Sequence, residues 1–263
     1  DARPLACSAA VAGIVAGATL SLSGMTFPDP VQLLSNSVTS VPIQKEEFAP
    51  PIEQAPRAAG LTDAQIKSRP IGTLVDPTWL AETAKETGIP ARALAAYAGT
   101  ALGLSLVKPG CHLSWNTLAG IGWVESHHGT LRGGTINAEG DTTPPIFGIP
   151  LDGKNNTKAI ADTDRGAFDG TAEFDRATGP MQIVPGTWEN WHADGNADGA
   201  EDGQNIDDAS LAAGRYLCYS GKDLSTKEGW QKALFAYNQV TKYMTDVATK
   251  AVSYAKAAGA SPA

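Results

Sequence analysis

One carboxylate stands out by its surroundings. In Trp123-Val124-Glu125-Ser126-His127-His128-Gly129, Glu125 closes an apolar segment and a polar, glycine-rich stretch follows. The last turn of a helix faces the negative end of the macrodipole, which disfavours a carboxylate and raises its pKa. A raised pKa suits a general acid that donates a proton near neutral pH. On position alone, a solvated glutamate at a helix end is the simpler reading. His127 and His128 invite a metal reading, but neither an HExxH pattern nor a third ligand accompanies them, so they read as cleft-edge or surface residues.

A second constellation is Asp194-Gly195-Asn196-Ala197-Asp198-Gly199. Oxygen ligands at alternate positions followed by glycine match the first half of an EF-hand calcium loop. The position of the bidentate glutamate holds Asn205, so Asp207 or Asp208 would supply that carboxylate in a longer loop. The alternative is a polar turn that caps the following helix without metal. A third group, Asp162, Asp164, Asp169 and Asp175, reads as turn caps paired with Arg165 and Arg176, with a second cation or a substrate contact as the alternative.

The elements that must position these groups are mostly helical. Asp76-Pro77 opens one helix, with a capping side chain and proline in the first turn. Ile89-Pro90 opens another, with Ala93, Leu94, Tyr97 and Leu102 at helical spacing. Ser114 caps a third that buries Trp115, Leu118, Ile121 and Val124, and Gly129 stops it. Residues 130–178 form a long loop-rich insertion with short strands near Ile146 and Ile160. Helices then resume: one capped by Thr187, one after Asp207-Asp208, one opened by the capping box Ser225-Thr226-Lys227-Glu228, and a last one from Tyr243 to Ala258 whose face is Met244, Val247, Ala251 and Tyr254.

The chain has 263 residues and a net charge of -8, so it lacks the basic footprint of a nucleic-acid binder. Leu5 to Leu22 is almost free of charge and resembles the apolar core of a leader or signal-anchor, which implies an envelope location and a possible membrane tether. The expected organisation is a leader over 1–23, a Pro-rich tether over 24–74, and a domain over 75–263; a segment that wraps the domain is the alternative for the tether. If the leader means export, Cys111 and Cys218 pair as a disulfide; otherwise they are two separate buried thiols.

Four segments in order carry a family resemblance: LAGIGWVESHHG (118–129), DRATGPMQIVPGTW (175–188), DGNADGAEDGQNIDDASLAAGRYLC (194–218) and FAYNQVTKYMTDV (235–247). Together they resemble the lytic murein transglycosylases of the membrane-bound lytic transglycosylase B type, in their actinobacterial form. The resemblance implies a mainly α, lysozyme-like α+β fold with a loop-rich lobe after the catalytic helix. It implies cleavage of the bond between N-acetylmuramic acid and N-acetylglucosamine in peptidoglycan glycan strands, with a 1,6-anhydro product. Glu125 would be the single acid/base, with Ser126, Gln182, Tyr237 and Asn238 around the sugar. No catalytic cofactor is implied; structural Ca2+ on Asp194, Asn196, Asp198, Asp207 and Asp208 is. Glycosidases that hydrolyse need two carboxylates, and none pairs obviously with Glu125. Asp141, Asp162 or Glu173 would have to fold back for a hydrolytic muramidase, and a non-catalytic peptidoglycan-binding scaffold is the remaining alternative.

Overall fold

The computed structural model describes residues 46–155 and 157–260. The expected leader over 1–23 and the first part of the tether lie outside the described residues. The described part is mostly helical. It contains α1 (Asp63–Ile66), α2 (Pro77–Thr87), α3 (Ala91–Val107), α4 (Trp115–Ser126), α5 (Pro185–Trp191), α6 (Ile206–Gly221), α7 (Lys227–Tyr237) and α8 (Thr241–Ala257). No described helix is long and apolar enough to cross a membrane.

Local signals explain most helix starts. The Asp76 side chain accepts bonds from the Thr78 and Trp79 amides, Pro77 sits in the first turn, and Gly88 ends α2 in the left-handed region. Asn205 caps α6 through the Asp207 amide, so Asp207 and Asp208 lie inside its first turn rather than ahead of it. Thr226 caps α7 through the Gly229 amide; the cap falls one residue later than a Ser225–Glu228 box requires. Thr187 lies within α5, whose cap position is Val184. Ser114 precedes α4 as expected, but its hydroxyl bonds Asn116 Oδ1 instead of a helix amide.

α3 is the central helix. Residues Ala93 to Leu102 are all buried, and their small side chains let α2, α4 and α6 pack around it. α4 lies along α8, and α6 lies along α7. The buried face of α8 is Tyr243, Val247, Ala248, Ala251 and Tyr254; Met244, expected on that face, is only half-buried. The Cys111–Cys218 disulfide joins the α3–α4 connection to α6 across 107 residues.

Residues 46–74 do not stand off as a tether. Ala49, Ile52, Ala55, Ile66, Ile71 and Leu74 are buried in the same core as the helices. Phe48 meets Trp230 edge-on at 5.9 Å, and Gln54 Nε2 donates to the Leu113 carbonyl at 2.9 Å. The apolar residues of this stretch are spaced irregularly because they pack as a largely irregular strap, broken by the single turn of α1, against the helices.

Between α4 and α5 the chain is loop-rich. A two-residue hairpin pairs β1 (Thr135–Ile136) with β2 (Thr142–Thr143), in register Thr135 to Thr143. The strands expected near Ile146 and Ile160 are present as single bridges, Phe147 to Thr178 and Ala161 to Phe174.

Candidate active site

The end of α4 sets Glu125 in place. The helix stops on two histidines, not on Gly129 alone: His127 and His128 take left-handed φ of 50° and 60°. Their amides donate to the Trp123 and Gly122 carbonyls, at 2.9 and 2.8 Å, satisfying carbonyls that a helix end leaves open. Glu125 is buried in this last turn, 7% exposed. Its pKa is pushed up to about 8, chiefly because burial penalises the charged form; a hydrogen bond from Tyr243 opposes the shift. The direction matches the expectation from the helix end, but the dominant cause is desolvation.

The Gly179–Gln182 turn is the second component. Gly179 has φ of 77°, and a Cβ there would fall 1.7 Å from the Gly203 carbonyl oxygen, so only glycine fits. Thr178 and Ile183 exchange backbone bonds of 2.9 and 3.0 Å, closing a small hairpin. Gln182 is left-handed at φ 48°, and its Nε2 donates to the Gly179 carbonyl at 2.9 Å. This leaves the Pro180 and Met181 carbonyls to accept from elsewhere. Ser126 Oγ donates to Pro180 at 2.6 Å, and the Tyr237 hydroxyl donates to Met181 at 2.7 Å.

Tyr237 closes α7 and stacks on Tyr243 of α8, ring centroids 6.4 Å apart and planes 8° apart. Asn238 is the C-cap of α7; its Oδ1 accepts from the Val240 amide at 3.1 Å, which turns the chain into α8. The groups form a circuit: Tyr243 against Tyr237, Tyr237 to Met181, and Pro180 back to Ser126 beside Glu125, whose pKa Tyr243 in turn lowers.

The structure links Ser126 and Tyr237 to the Gly179–Gln182 turn, with Glu125 adjoining Ser126 and Asn238 adjoining Tyr237. Ser126 is buried, and its hydroxyl is engaged by the Pro180 carbonyl and by the Gly129 amide at 2.8 Å, tying the turn to α4. Tyr237 and Asn238 are also buried. Tyr243, expected only as the first residue of the last helix, is the side chain that opposes the upward shift of the carboxyl. Trp188 and Trp191 pack on aromatic neighbours, Phe168 at 5.0 Å and Tyr219 at 4.8 Å respectively.

No second carboxylate figures among the influences on Glu125. Asp141 is held by Asn137 and Asn205, Asp162 by the amides of its own turn, and Glu173 is exposed. His128 is not at a cleft edge: it is buried, 2% exposed. A cavity of about 420 Å³ beside the disulfide and one of about 620 Å³ beside Arg92 do not include Glu125.

Of the expected calcium ligands, Asp208 meets the Asp194–Asp198 turn, whereas Asp207 is engaged elsewhere. Asp194, Asn196 and Asp198 form a tight turn in which Asp194 accepts from the Asp198 and Gly199 amides at 3.1 and 3.0 Å. Asp207, however, is bound by both terminal nitrogens of Arg92, at 2.9 and 2.6 Å. Asp208 accepts the Gly195, Asn196 and Asp202 amides. These two carboxylates clasp the polypeptide, Asp207 through Arg92 and Asp208 through the amides of Gly195, Asn196 and Asp202. Among the described residues, the acidic trio whose oxygens lie within 4.8 Å of one another is Asp162, Asp164 and Asp175, and each already caps a turn amide.

Comparison with known proteins returns no matching family, no matching curated protein and no matching solved structure.

Proposed function

We propose that this chain is a lysozyme-like peptidoglycan lytic transglycosylase that works outside the cytoplasm with Glu125 as its single acid/base. The observation that carries the reading is a buried carboxyl, its pKa near 8, beside a circuit that joins three of the four segments of the sequence resemblance. The disulfide supports an oxidising compartment. The apolar stretch at 5–22 supports a leader or membrane tether.

The chemistry follows from the protonation state. At neutral pH most of Glu125 is protonated and can act as the general acid. It donates its proton to the glycosidic oxygen as the bond from C1 to that oxygen breaks and the bond's electron pair leaves with the oxygen. The N-acetyl oxygen of the muramic acid residue stabilises the positive charge at C1. The Glu125 carboxylate then takes the proton of the C6 hydroxyl, and that oxygen bonds C1. The acid is regenerated and no water is consumed. Among the described residues no second carboxylate acts on Glu125, as a partner that activates water or attacks C1 in hydrolytic enzymes would. Gln182, 5% exposed, presents an amide oxygen suited to a sugar hydroxyl or amide N–H.

Mass analysis of peptidoglycan digested with the purified protein tests the reading. Fragments lighter than hydrolysed ones by one water are expected, and Glu125→Gln should abolish their release. Reducing ends would identify a muramidase; binding without release would identify a scaffold.

A further inference from the structure

Three residues behind Glu125, His128 makes an attachment that the reaction scheme does not use. Its imidazole is bonded at both ring nitrogens: Nδ1 to the Tyr97 hydroxyl of α3 at 3.2 Å, and Nε2 to the Tyr254 hydroxyl of α8 at 2.9 Å. Its amide closes α4 on the Gly122 carbonyl at 2.8 Å. Gly122 makes the approach possible, since a Cβ there would lie 2.0 Å from the Tyr97 hydroxyl oxygen. One side chain thus joins three helices, while its main chain shapes the turn behind Glu125.

The groups facing this imidazole are Tyr97 from α3, Tyr254 and Lys250 from α8, and the neighbouring His127. Burial foremost, then the charges of His127 and Lys250, push its pKa down to about 3. It is neutral at working pH, so one ring nitrogen donates and the other accepts, and each tyrosine hydroxyl complements one of them. α8 therefore grips the end of α4 twice. Tyr243 meets Glu125, and Tyr254, about three turns further along the same buried face, meets His128.

We propose that His128 is a positioning residue: by bolting the last turn of α4 to Tyr97 and Tyr254, it holds the Glu125 carboxyl in the dry position from which protons are transferred. The proposal rests on the reading of Glu125 as the acid/base. Its central claim concerns the surroundings of that carboxyl, which can be measured without turnover.

The test is a side-chain carboxyl NMR titration of the full chain, with the Glu125 resonance assigned by its loss in Glu125→Gln. In His128→Ala and Tyr254→Phe the Glu125 midpoint should fall by about one unit or more, as water reaches the carboxyl. His128→Gln, which keeps a donor near the Nε2 position, should recover part of the shift. On peptidoglycan the same variants should lose on the order of ten- to a hundredfold in kcat with KM little changed. Thr117→Val is the control for stability alone, because it removes the buried 3.1 Å bond from Trp230; it should lower the melting temperature without moving the midpoint. An unmoved Glu125 midpoint in Tyr254→Phe, a substitution that keeps the ring, overturns the proposal even if His128→Ala does not fold. If the wild-type chain releases no glycan fragments, the functional reading fails while the titration still decides the role of His128.

Discussion

The Tyr237 hydroxyl donates to the Met181 carbonyl at 2.7 Å, fastening the end of α7 to the turn that carries Gln182. Both groups are buried, so the bond has no water to replace it. Tyr237→Phe keeps the ring against Tyr243 but leaves that carbonyl unpaired. A loss of about 1–3 kcal/mol in denaturant-unfolding stability is expected. Unchanged stability would show that the carbonyl finds another donor.

Glu125 should make stability depend on pH. Its folded pKa, about 8, lies above the ordinary 4.5, so the native state binds the proton more tightly than the unfolded chain does. Its favourable contribution is complete below about pH 4.5, is lost as pH rises towards 8, and is constant above that. Glu125→Gln removes the ionisation. The variant should match the wild type near pH 4 and exceed it by on the order of a few kcal/mol near pH 8. Melting curves across this range check the sign; an equal gap at both ends would mean that the carboxyl is not buried as found.

Tyr243 opposes the upward shift of Glu125 through its hydrogen bond to the carboxyl. Tyr243→Phe should raise the pKa of Glu125 further and move the alkaline limb of kcat to higher pH. The direction is opposite to that expected for His128→Ala. A downward move in Tyr243→Phe would mean that the lost hydroxyl admits water instead of only removing a donor.

Asp207 is predicted to act through Arg92, not through a cation. Removing one partner of a buried charge pair costs about 3–5 kcal/mol, and the 22% exposure of Arg92 places Asp207→Asn towards the low end. The loss should be the same with calcium and with chelator. A calcium-dependent melting temperature in the wild type that disappears in Asp207→Asn would restore Asp207 as a ligand.

Helix starts were legible where a cap and its partner amide lie within a few residues, as at Asp76. They shifted where the capping group was less conspicuous: Asn205 instead of Asp207, and Thr226 instead of Ser225. The Cys111–Cys218 pair was legible from composition, since few cysteines were available. The strap over 46–74 was not, because its buried residues follow the shape of the helices beneath them and have no period of their own. The partner of Asp207 was equally hidden, at Arg92, 115 residues away.

The sequence by itself determined the mainly helical class and the position of Glu125 at the end of an apolar helix. It also determined the order of the four segments that carry the resemblance. These are local properties: capping, periodicity and spacing act within a turn or two of the chain. Only the tertiary structure decided why Glu125 holds its proton, which tyrosine opposes that, and that Ser126 and Tyr237 bond the carbonyls of one turn. Desolvation and partner choice depend on which surfaces meet, and here α8 and the Gly179–Gln182 turn, both distant in sequence, close over the end of α4.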